Sequence, residues 1–598
     1  MLYAKRYPLY AKKSDILTRQ DQFERRIKIF WIIIICGLLV LLGRIAWLQL
    51  IEGERYFRIS KNSRLRLVPL PCSRGLILDR NGEKLAGNEA FFSVGVVPSN
   101  VTDIDELIKC LDEFLDIDKE IAKKRIQEAN NIFRPVWAKR NIDLSAVTYL
   151  LEKEEDFPGT VILTQPVRSY YYDEMCAHVL GHVGEVNQEE LTANSTFGVE
   201  LGDLVGKMGV EKAYNSYLQG EKGGRQVEVD AHGRTLRVIS EKDPLPGDSV
   251  YLTIDLEMQE IAAEKLGQRK GVVLIGDYET GEILTLVSHP TFNPNLFSWG
   301  VSEDEWSKLV QDPGDPLENR ALRGEYPPAS TFKVVVAAAA LEDNIIGKED
   351  TFFCGGELLV GNRIFKCWKE EGHGRLNLEE AIIDSCDVFF YQLGLKIGMD
   401  KIIRYSRLFE LGEITGIDPV SEKDGLLPTR EWKLKAKGEA WYPGDTVNLS
   451  IGQGFLLVTP VQMFRVIAAV ANGGSLIDPY LVKEVVDSQG KVVESFSPGR
   501  GKKIPISSSV FDFLGKSLRG VVREGTGWRA ENKIVKIAGK TGTAESSDEE
   551  RPHNWFIGYT LPDDARLAIV VLIEYREEEI SIAAQIAGEI LSQIFNKN

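Results

Sequence analysis

The sequence predicts an α+β multidomain protein with one N-terminal transmembrane helix, an elongated pedestal domain, and a C-terminal domain built as an antiparallel sheet covered by helices. Three observations predict it. A long apolar run occupies Ile29–Ile51. The next two hundred or so residues mix amphipathic helices with extended stretches, a pattern of scaffold and not of catalysis. Beyond Asp255, strand patterns stand at both ends of the remaining chain with helical patterns between them, which suits one sheet with helices on its faces. The expected boundaries are a tail at 1–28, an anchor at 29–51, a non-catalytic pedestal at 52–254 and a catalytic domain at 255–598.

At 598 residues the chain can bury a large core and should hold more than one domain. Its net charge of −16 argues against a nucleic-acid partner, and no basic stripe appears. The first 28 residues carry eight Lys/Arg and three Asp/Glu, or +5, so the remainder carries −21. The apolar run is interrupted only by Arg44 and its near neighbours, and it is long enough for a bilayer crossing of about 20 residues. Positive residues flank it on both sides (Arg25, Arg26 and Lys28 before; Arg55, Arg58, Lys61, Arg64 and Arg66 after), so the charge rule gives a cytoplasmic N-terminus only a slight edge. A short tail and a large C-terminal body fit a signal anchor with the body outside.

In the pedestal, Arg74–Gly82 reads as a strand entering an Asn81-Gly82 turn. Val101–Asn130 reads as two amphipathic helices, with Leu107, Leu111 and Leu115 at four-residue spacing. Arg134–Val167 alternates extended and helical patterns, and Gly206–Arg234 holds a helix around Glu211–Leu218 and an alternating run at Gln226–Asp230. The last domain opens with a hairpin, Val272–Gly276 and Glu282–Ser288. It ends with strands at Ile534–Ala544, Asn554–Thr560 and Arg566–Glu574 and a helix at Ile580–Phe595.

Three short motifs carry chemistry. The first is Ser330-Thr-Phe-Lys333, which follows Pro327-Pro328 and opens a helix that is wholly apolar from Val334 to Leu341. Ser330 and Lys333 lie one turn apart on one face. The serine hydroxyl then sits where free N–H groups and the positive helix end favour an anion. Burial disfavours the charged form of Lys333 and makes a neutral amine available as base. The second motif, Ser385-Cys386-Asp387, falls between two helices and offers a proton relay and an amide-binding group. The third, Lys540-Thr541-Gly542-Thr543, is strand-like. Thr541 and Thr543 share a face, and Gly542 leaves room for a peptide to pair with the strand edge.

Taken in order, Ser-x-x-Lys, Ser-x-Asp and Lys-Thr-Gly resemble the set found in penicillin-binding proteins and class A β-lactamases. Pro316–Arg320, Leu449–Gly454, Trp555–Gly558, Arg74–Gly82, Ala177–Gly181 and Gly206–Arg234 look like further segments of the same family. The chain resembles a class B penicillin-binding protein of the elongation type, and a serine β-lactamase-like fold is implied for its last domain.

That resemblance implies a serine-type D,D-transpeptidase acting on peptidoglycan stem peptides that end in D-Ala-D-Ala, with D,D-carboxypeptidase as a side activity. β-Lactams would acylate Ser330. Lys333 would take the serine proton, Ser385 would relay it, and the Ser330 and Thr543 amides would hold the oxyanion. Lys540, Thr541 and Thr543 would receive the terminal carboxylate. No cofactor is needed for catalysis. A SEDS-type glycan polymerase and elongation-complex proteins are the implied partners, and the bacterial cytoplasmic membrane is the implied location, with the catalytic domain outside. The alternatives are a septal transpeptidase and a non-catalytic, β-lactam-acylated sensor or scaffold; a tail of 28 residues is too short for a sensor's output domain.

The sequence departs from the family pattern twice. Ala329 stands where glycine is frequent, a mild change unless its φ is positive. Asp387 stands where many members have Asn, and an ionised carboxylate only accepts hydrogen bonds. Finally, Cys354, Cys367, His373 and Cys386 gather three of the seven cysteines and one histidine within 33 residues. Three thiolates and an imidazole would close a tetrahedral structural zinc site, with Gly355-Gly356 and Gly372-His373-Gly374 letting the loops converge. A disulfide plus one buried thiol is the other reading.

Overall fold

The structure is a computed structural model and describes residues 12–56, 65–127, 135–187, 189–190, 203–229, 235–417, 421–496, 499, 501–544, 552–562, 564–575 and 581–597. The first eleven residues of the expected tail, Arg58, Lys61 and Arg64, the ends of the expected segments at Asn130, Arg134 and Asp230–Arg234, and Ile580 lie outside them.

The chain divides into two compact units. The first comprises residues 1–70 and 222–243. It holds a helix over Lys12–Ala46 that continues as a π-helical turn at Trp47–Ile51. Phe23–Ile51 is long and apolar enough to cross a membrane, and its side chains stay exposed. The same unit contains an antiparallel sheet of Leu65–Leu70, Gly223–Val229 and Thr235–Lys242.

The second unit comprises residues 71–221 and 244–598. Its central sheet has five antiparallel strands, in the order Ile283–His289, Gly271–Asp277, Leu567–Ile573, His553–Thr560 and Ile537–Ala544. The first two form the expected hairpin, and the last three match the expected terminal strands to within three residues. Alternation sorts their side chains into two cores. Val273, Ile275, Ile569 and Val571 pack against Ile586 and Ile590 of the closing helix, Ile582–Lys597. Val272, Leu274, Val570 and Leu572 face the other core, with Val335 of the serine helix and Val466 of the helix Pro460–Ala471.

The serine helix spans Lys333–Glu342, and Val334 to Ala340 are each at most 1 % exposed. An all-apolar helix is stable only with such neighbours on every side. The turn before it, Ala329–Phe332, is 3-10 and not α. In a 3-10 turn, side chains three apart eclipse, which brings Ser330 over Lys333 more directly than an α-turn would.

In the pedestal region, the helices Ile104–Leu115 and Lys119–Gln127 bury Leu107, Leu111, Leu115 and Ile126 as the periodicity predicts. Asp103 caps the first of them, accepting from the N–H groups of Asp105 and Glu106. The Asn81-Gly82 turn is present, with Gly82 at φ 92° and the Asp79 carboxylate accepting from Asn81 and Glu83 N–H.

A seven-stranded sheet runs across the 254/255 boundary expected from sequence. Ser249–Leu252 pairs in parallel with Ile77–Leu78 on one side and antiparallel with Val482–Val486 on the other. Lys84–Val96, Val136–Ile142 and Thr160–Tyr170 extend it on one flank and Val492–Ser495 on the other. The sequence reading places no strand at Ser249–Leu252, whose partners lie more than 170 residues before it and at least 230 after.

Candidate active site

The serine segment is held on both sides by backbone. Tyr326 and Val458 exchange two hydrogen bonds of 2.9 Å, and the Trp555 indole donates to Pro327 O at 3.1 Å. Ala329 N–H donates to Gly452 O at 2.9 Å. Gly452 has φ 72°, and a Cβ there would stand 2.3 Å from Ala329 O and 2.7 Å from Phe332 Cβ. Ala329 itself has φ 49°, so the condition under which its replacement of glycine matters is met. A left-handed L-residue costs about 1 kcal/mol or more. Ser385 is likewise left-handed, at φ 54°. Both motif serines thus sit at or beside strained backbone, which persists only where the surroundings fix it.

Lys333 is wholly buried, and its Nζ reaches Ser385 O at 2.9 Å, Ser385 Oγ at 3.3 Å and Asp387 Oδ1 at 2.8 Å. Among the described residues its partners are Ser385 and Asp387, not the Ser330 hydroxyl. The burial expected from sequence is present, and a carboxylate stands in contact with the amine. Asp387 is equally committed, because its Oδ2 accepts from Trp368 N–H at 3.1 Å. Both oxygens are therefore engaged by the protein itself. That is a physical account of an aspartate where an amide side chain is frequent.

Lys540 lies in the edge strand Ile537–Ala544, which among the described residues pairs only with His553–Thr560. It is 0 % exposed and donates to Thr541 O at 3.3 Å. Desolvation, and then the Lys333 charge, hold it well below the ordinary lysine range, with Asp387 opposing. The expected direct grip of Lys540 on a carboxylate is not what its burial offers; the exposed group on that strand is Thr543. Gly542 also has a nearer use than peptide clearance. A Cβ on it would lie 3.1 Å from Pro328 O and 3.2 Å from Thr331 Cγ2, so its absence lets the strand close on the serine segment. Thr543 O accepts from Gln453 Nε2 at 3.2 Å. On a strand, a residue's N–H and C=O point to one side, so Thr543 N–H also leaves the sheet edge towards the cleft.

These groups line one cleft of about 1050 Å³ that includes Ser330, Ser385, Asp387 and Thr541–Thr543. Sequence reasoning missed Trp368, Gln453, Thr526 and Asn554 in its walls. Gln453 lies inside the quoted Leu449–Gly454 segment, and Thr526 between two glycines, so both had a local signal. Asn554 joins Gly542 O at 3.3 Å to Ala583 N–H at 2.9 Å, a role that only the fold reveals.

Beside the cleft, the ligand atoms of Cys354, Cys367, His373 and Cys386 lie within 4.8 Å of one another. Phe352–Cys354 pairs with Gly374–Leu376, and Cys367 N–H donates to Gly356 O at 2.7 Å. Gly356 and Gly372 have φ of 95° and 77°, and a Cβ on Gly372 would stand 2.3 Å from Cys354 O. His373 Nδ1 is 3.6 Å from Cys354 Sγ and 3.5 Å from Cys367 Sγ. Cys354, Cys367 and Cys386 are free thiols. Hydrogen bonds from the Cys386 thiol and from Lys369 and Val388 N–H hold Cys367 well below the usual thiol range. A soft, buried S₃N set this close fits one ion with zinc–sulfur bonds of about 2.3 Å.

A serine one turn before a buried lysine, faced by a second serine and an edge strand with Lys-Thr-Gly, defines an acyl-transfer site of the penicillin-binding class. The chain belongs to that family: residues 271–592 match the penicillin binding protein transpeptidase domain, and residues 69–252 match the penicillin-binding protein dimerisation domain. Within the family its likeness is to penicillin-binding protein 2. The peptidoglycan D,D-transpeptidase MrdA of Acinetobacter baumannii is 36% identical, over 97% of this chain and 89% of the relative. Penicillin-binding protein 2 of Helicobacter pylori, solved in complex with MreC, superposes with a TM-score of 0.78 at 30% identity, covering 89% of this chain and 99% of that one. A chain from a peptidoglycan synthase complex that coordinates polymerization and crosslinking superposes with a TM-score of 0.71 at 29% identity, covering 96% of this chain and 99% of that one.

Proposed function

We propose that this chain is a serine-type peptidoglycan D,D-transpeptidase of cell-wall elongation, acting through an acyl-enzyme on Ser330. The observation that carries the reading is the convergence of Ser330, Lys333 and Ser385 at the cleft that the Lys540–Thr543 strand edge borders. Ser330 Oγ attacks the penultimate carbonyl of a D-Ala-D-Ala stem while Lys333 takes its proton. Lys333 passes that proton to Ser385, 3.3 Å away, and Ser385 gives its own to the departing D-Ala amine. The oxyanion is held by Ser330 and Thr543 N–H, and the terminal carboxylate by the Thr541 and Thr543 hydroxyls, with Lys540 supplying support from beneath. An acceptor amine then attacks the ester and frees Ser330; water in its place gives carboxypeptidase activity. A β-lactam stops at the acyl-enzyme.

Cys354, Cys367, His373 and Cys386 would hold a structural zinc ion, whose role is to fix the Cys386 loop and not to touch substrate. Phe23–Ile51 would anchor the chain in the cytoplasmic membrane with its catalytic domain outside. The pedestal, with Val101–Asn130, would meet a SEDS-type polymerase; the likeness to a chain of a peptidoglycan synthase complex supports that reading. Deleting Val101–Asn130 should spare penicillin binding and impair polymerase stimulation.

The central test is acylation by a fluorescent penicillin. Ser330→Ala should remain folded and lose all labelling, and Lys333→Ala should lose labelling as well. Stoichiometric labelling of Ser330→Ala would end the proposal.

A further inference from the structure

Among the hydroxyls lining the cleft that the steps above leave unused, that of Thr526 touches a carboxylate-binding group. Thr526 lies between the helix Ser508–Arg523 and the turn Trp528–Ala530, half-buried in the cleft wall. Its Oγ1 is 2.7 Å from Thr541 Oγ1. Its carbonyl accepts from Ser581 Oγ at 3.1 Å, and its N–H donates to Ile383 O at 3.4 Å. The preceding Gly525 rests on that same carbonyl, for a Cβ there would stand 2.3 Å from Ile383 O. Ile383 ends the helix Leu378–Ile383, two residues before Ser385. Thr526 is therefore seated on the framework that carries Ser385, and it reaches across to the strand that carries Lys540.

Two hydroxyls 2.7 Å apart share one hydrogen bond, and either can be its donor. If Thr541 donates to Thr526, its lone pairs face the cleft and repel an anion. If Thr526 donates to Thr541, the Thr541 proton is free to point at the ligand. A carboxylate selects the second arrangement, and the bond from Thr526 then polarises and strengthens the one from Thr541.

We propose that Thr526 is a positioning residue for recognition of the donor's terminal carboxylate, acting by directing the Thr541 hydroxyl outward. The inference rests on the acyl-transfer reading above. A merely structural threonine would affect charged and uncharged ligands alike, whereas this role concerns only those that carry the carboxylate.

The experiment measures second-order acylation rates of the full chain with benzylpenicillin and with its methyl ester, and reads the acid-to-ester ratio. Because the ratio is internal to each sample, a partly unfolded variant scales both rates and leaves it intact. Thr526→Val, which keeps the shape and removes the hydroxyl, should lower the ratio about tenfold, the scale of one charge-assisted hydrogen bond. Thr526→Ala, the reserve should the valine not fit, should do likewise, and Thr526→Ser should restore the ratio. A wild-type ratio in Thr526→Val or Thr526→Ala overturns the proposal, as does a wild-type enzyme with a ratio near one. Labelling that survives in Ser330→Ala is a different outcome, and it would remove the acyl-transfer reading itself.

Discussion

Lys333 Nζ lies 2.8 Å from Asp387 Oδ1, and the second oxygen of that carboxylate accepts Trp368 N–H at 3.1 Å. Three segments of the chain are fastened at this point: the serine helix, the Ser385 loop and the loop that carries Cys367 and Trp368. Lys333 is 0 % exposed, so it depends on Asp387 for charge compensation. Removing one partner of a buried pair costs about 3–5 kcal/mol, more than replacing both. Asp387→Ala should therefore lower the unfolding free energy by about 3 kcal/mol. Lys333→Met combined with Asp387→Ala should cost less than the sum of the two. Denaturant unfolding of all four proteins measures this coupling, and strict additivity would show that the pair is not what holds the loop.

Gly452 and Ala329 make a second expectation. A methyl group on Gly452 would push into Ala329 O at 2.3 Å and displace the residue next to the nucleophile. A displacement of about 1 Å in a catalytic group can cost about 10²-fold. Gly452→Ala should lower penicillin acylation by roughly that factor. Ala329→Gly relieves a left-handed alanine and should stabilise the fold by about 1 kcal/mol. Calorimetry showing a loss instead would mean that the φ of 49° carries no strain.

The buried Lys540 gives stability a pH dependence of definite sign. Its folded pKa lies well below 10.5 through desolvation first and Lys333 second. Between that depressed value and about 10.4, the unfolded chain binds a proton that the folded chain does not. Stability from this group must therefore rise with pH across the window and level off above it. Lys540→Met should flatten the corresponding part of the stability–pH curve. An unchanged slope would place the ammonium in a better-solvated setting than the structure gives it.

The sulfur cluster predicts a metal content. Purified protein should carry about one zinc per chain, and Cys367→Ser should lose both the ion and several degrees of thermal stability. Because Trp368 follows Cys367 and holds Asp387, chelation should also slow acylation. Full activity in metal-free protein, or a mapped disulfide between any two of Cys354, Cys367 and Cys386, would refute the site.

Much of this was readable from the chain because the informative signals were local. The Val334–Leu341 run announced a buried helix, two prolines marked where it begins, and alternation located the strands that the structure places in one sheet. The positions of Ser330, Lys333 and Ser385 follow from those elements. What stayed hidden depends on contacts between remote segments. Asp387 looked like an odd substitution until Lys333 and Trp368 were seen on its two oxygens. Ala329 is pressed against Gly452, more than a hundred residues away, and strand alternation cannot tell which face seals Lys540. The 254/255 boundary was drawn where a catalytic pattern begins, whereas strand pairing ignores that change.

That pairing has a consequence for how the molecule comes apart. Ser249–Leu252 is hydrogen-bonded to the region matched as a dimerisation domain on one side and to the transpeptidase region on the other. A chain cut at 254/255 would leave Val482–Val486 with a bare edge and an inviting template for other strands. The two annexed regions should therefore melt as one cooperative body in calorimetry, and the catalytic half produced alone should tend to aggregate. A pull applied to the pedestal strands would travel along backbone bonds into the transpeptidase region, without crossing a hinge.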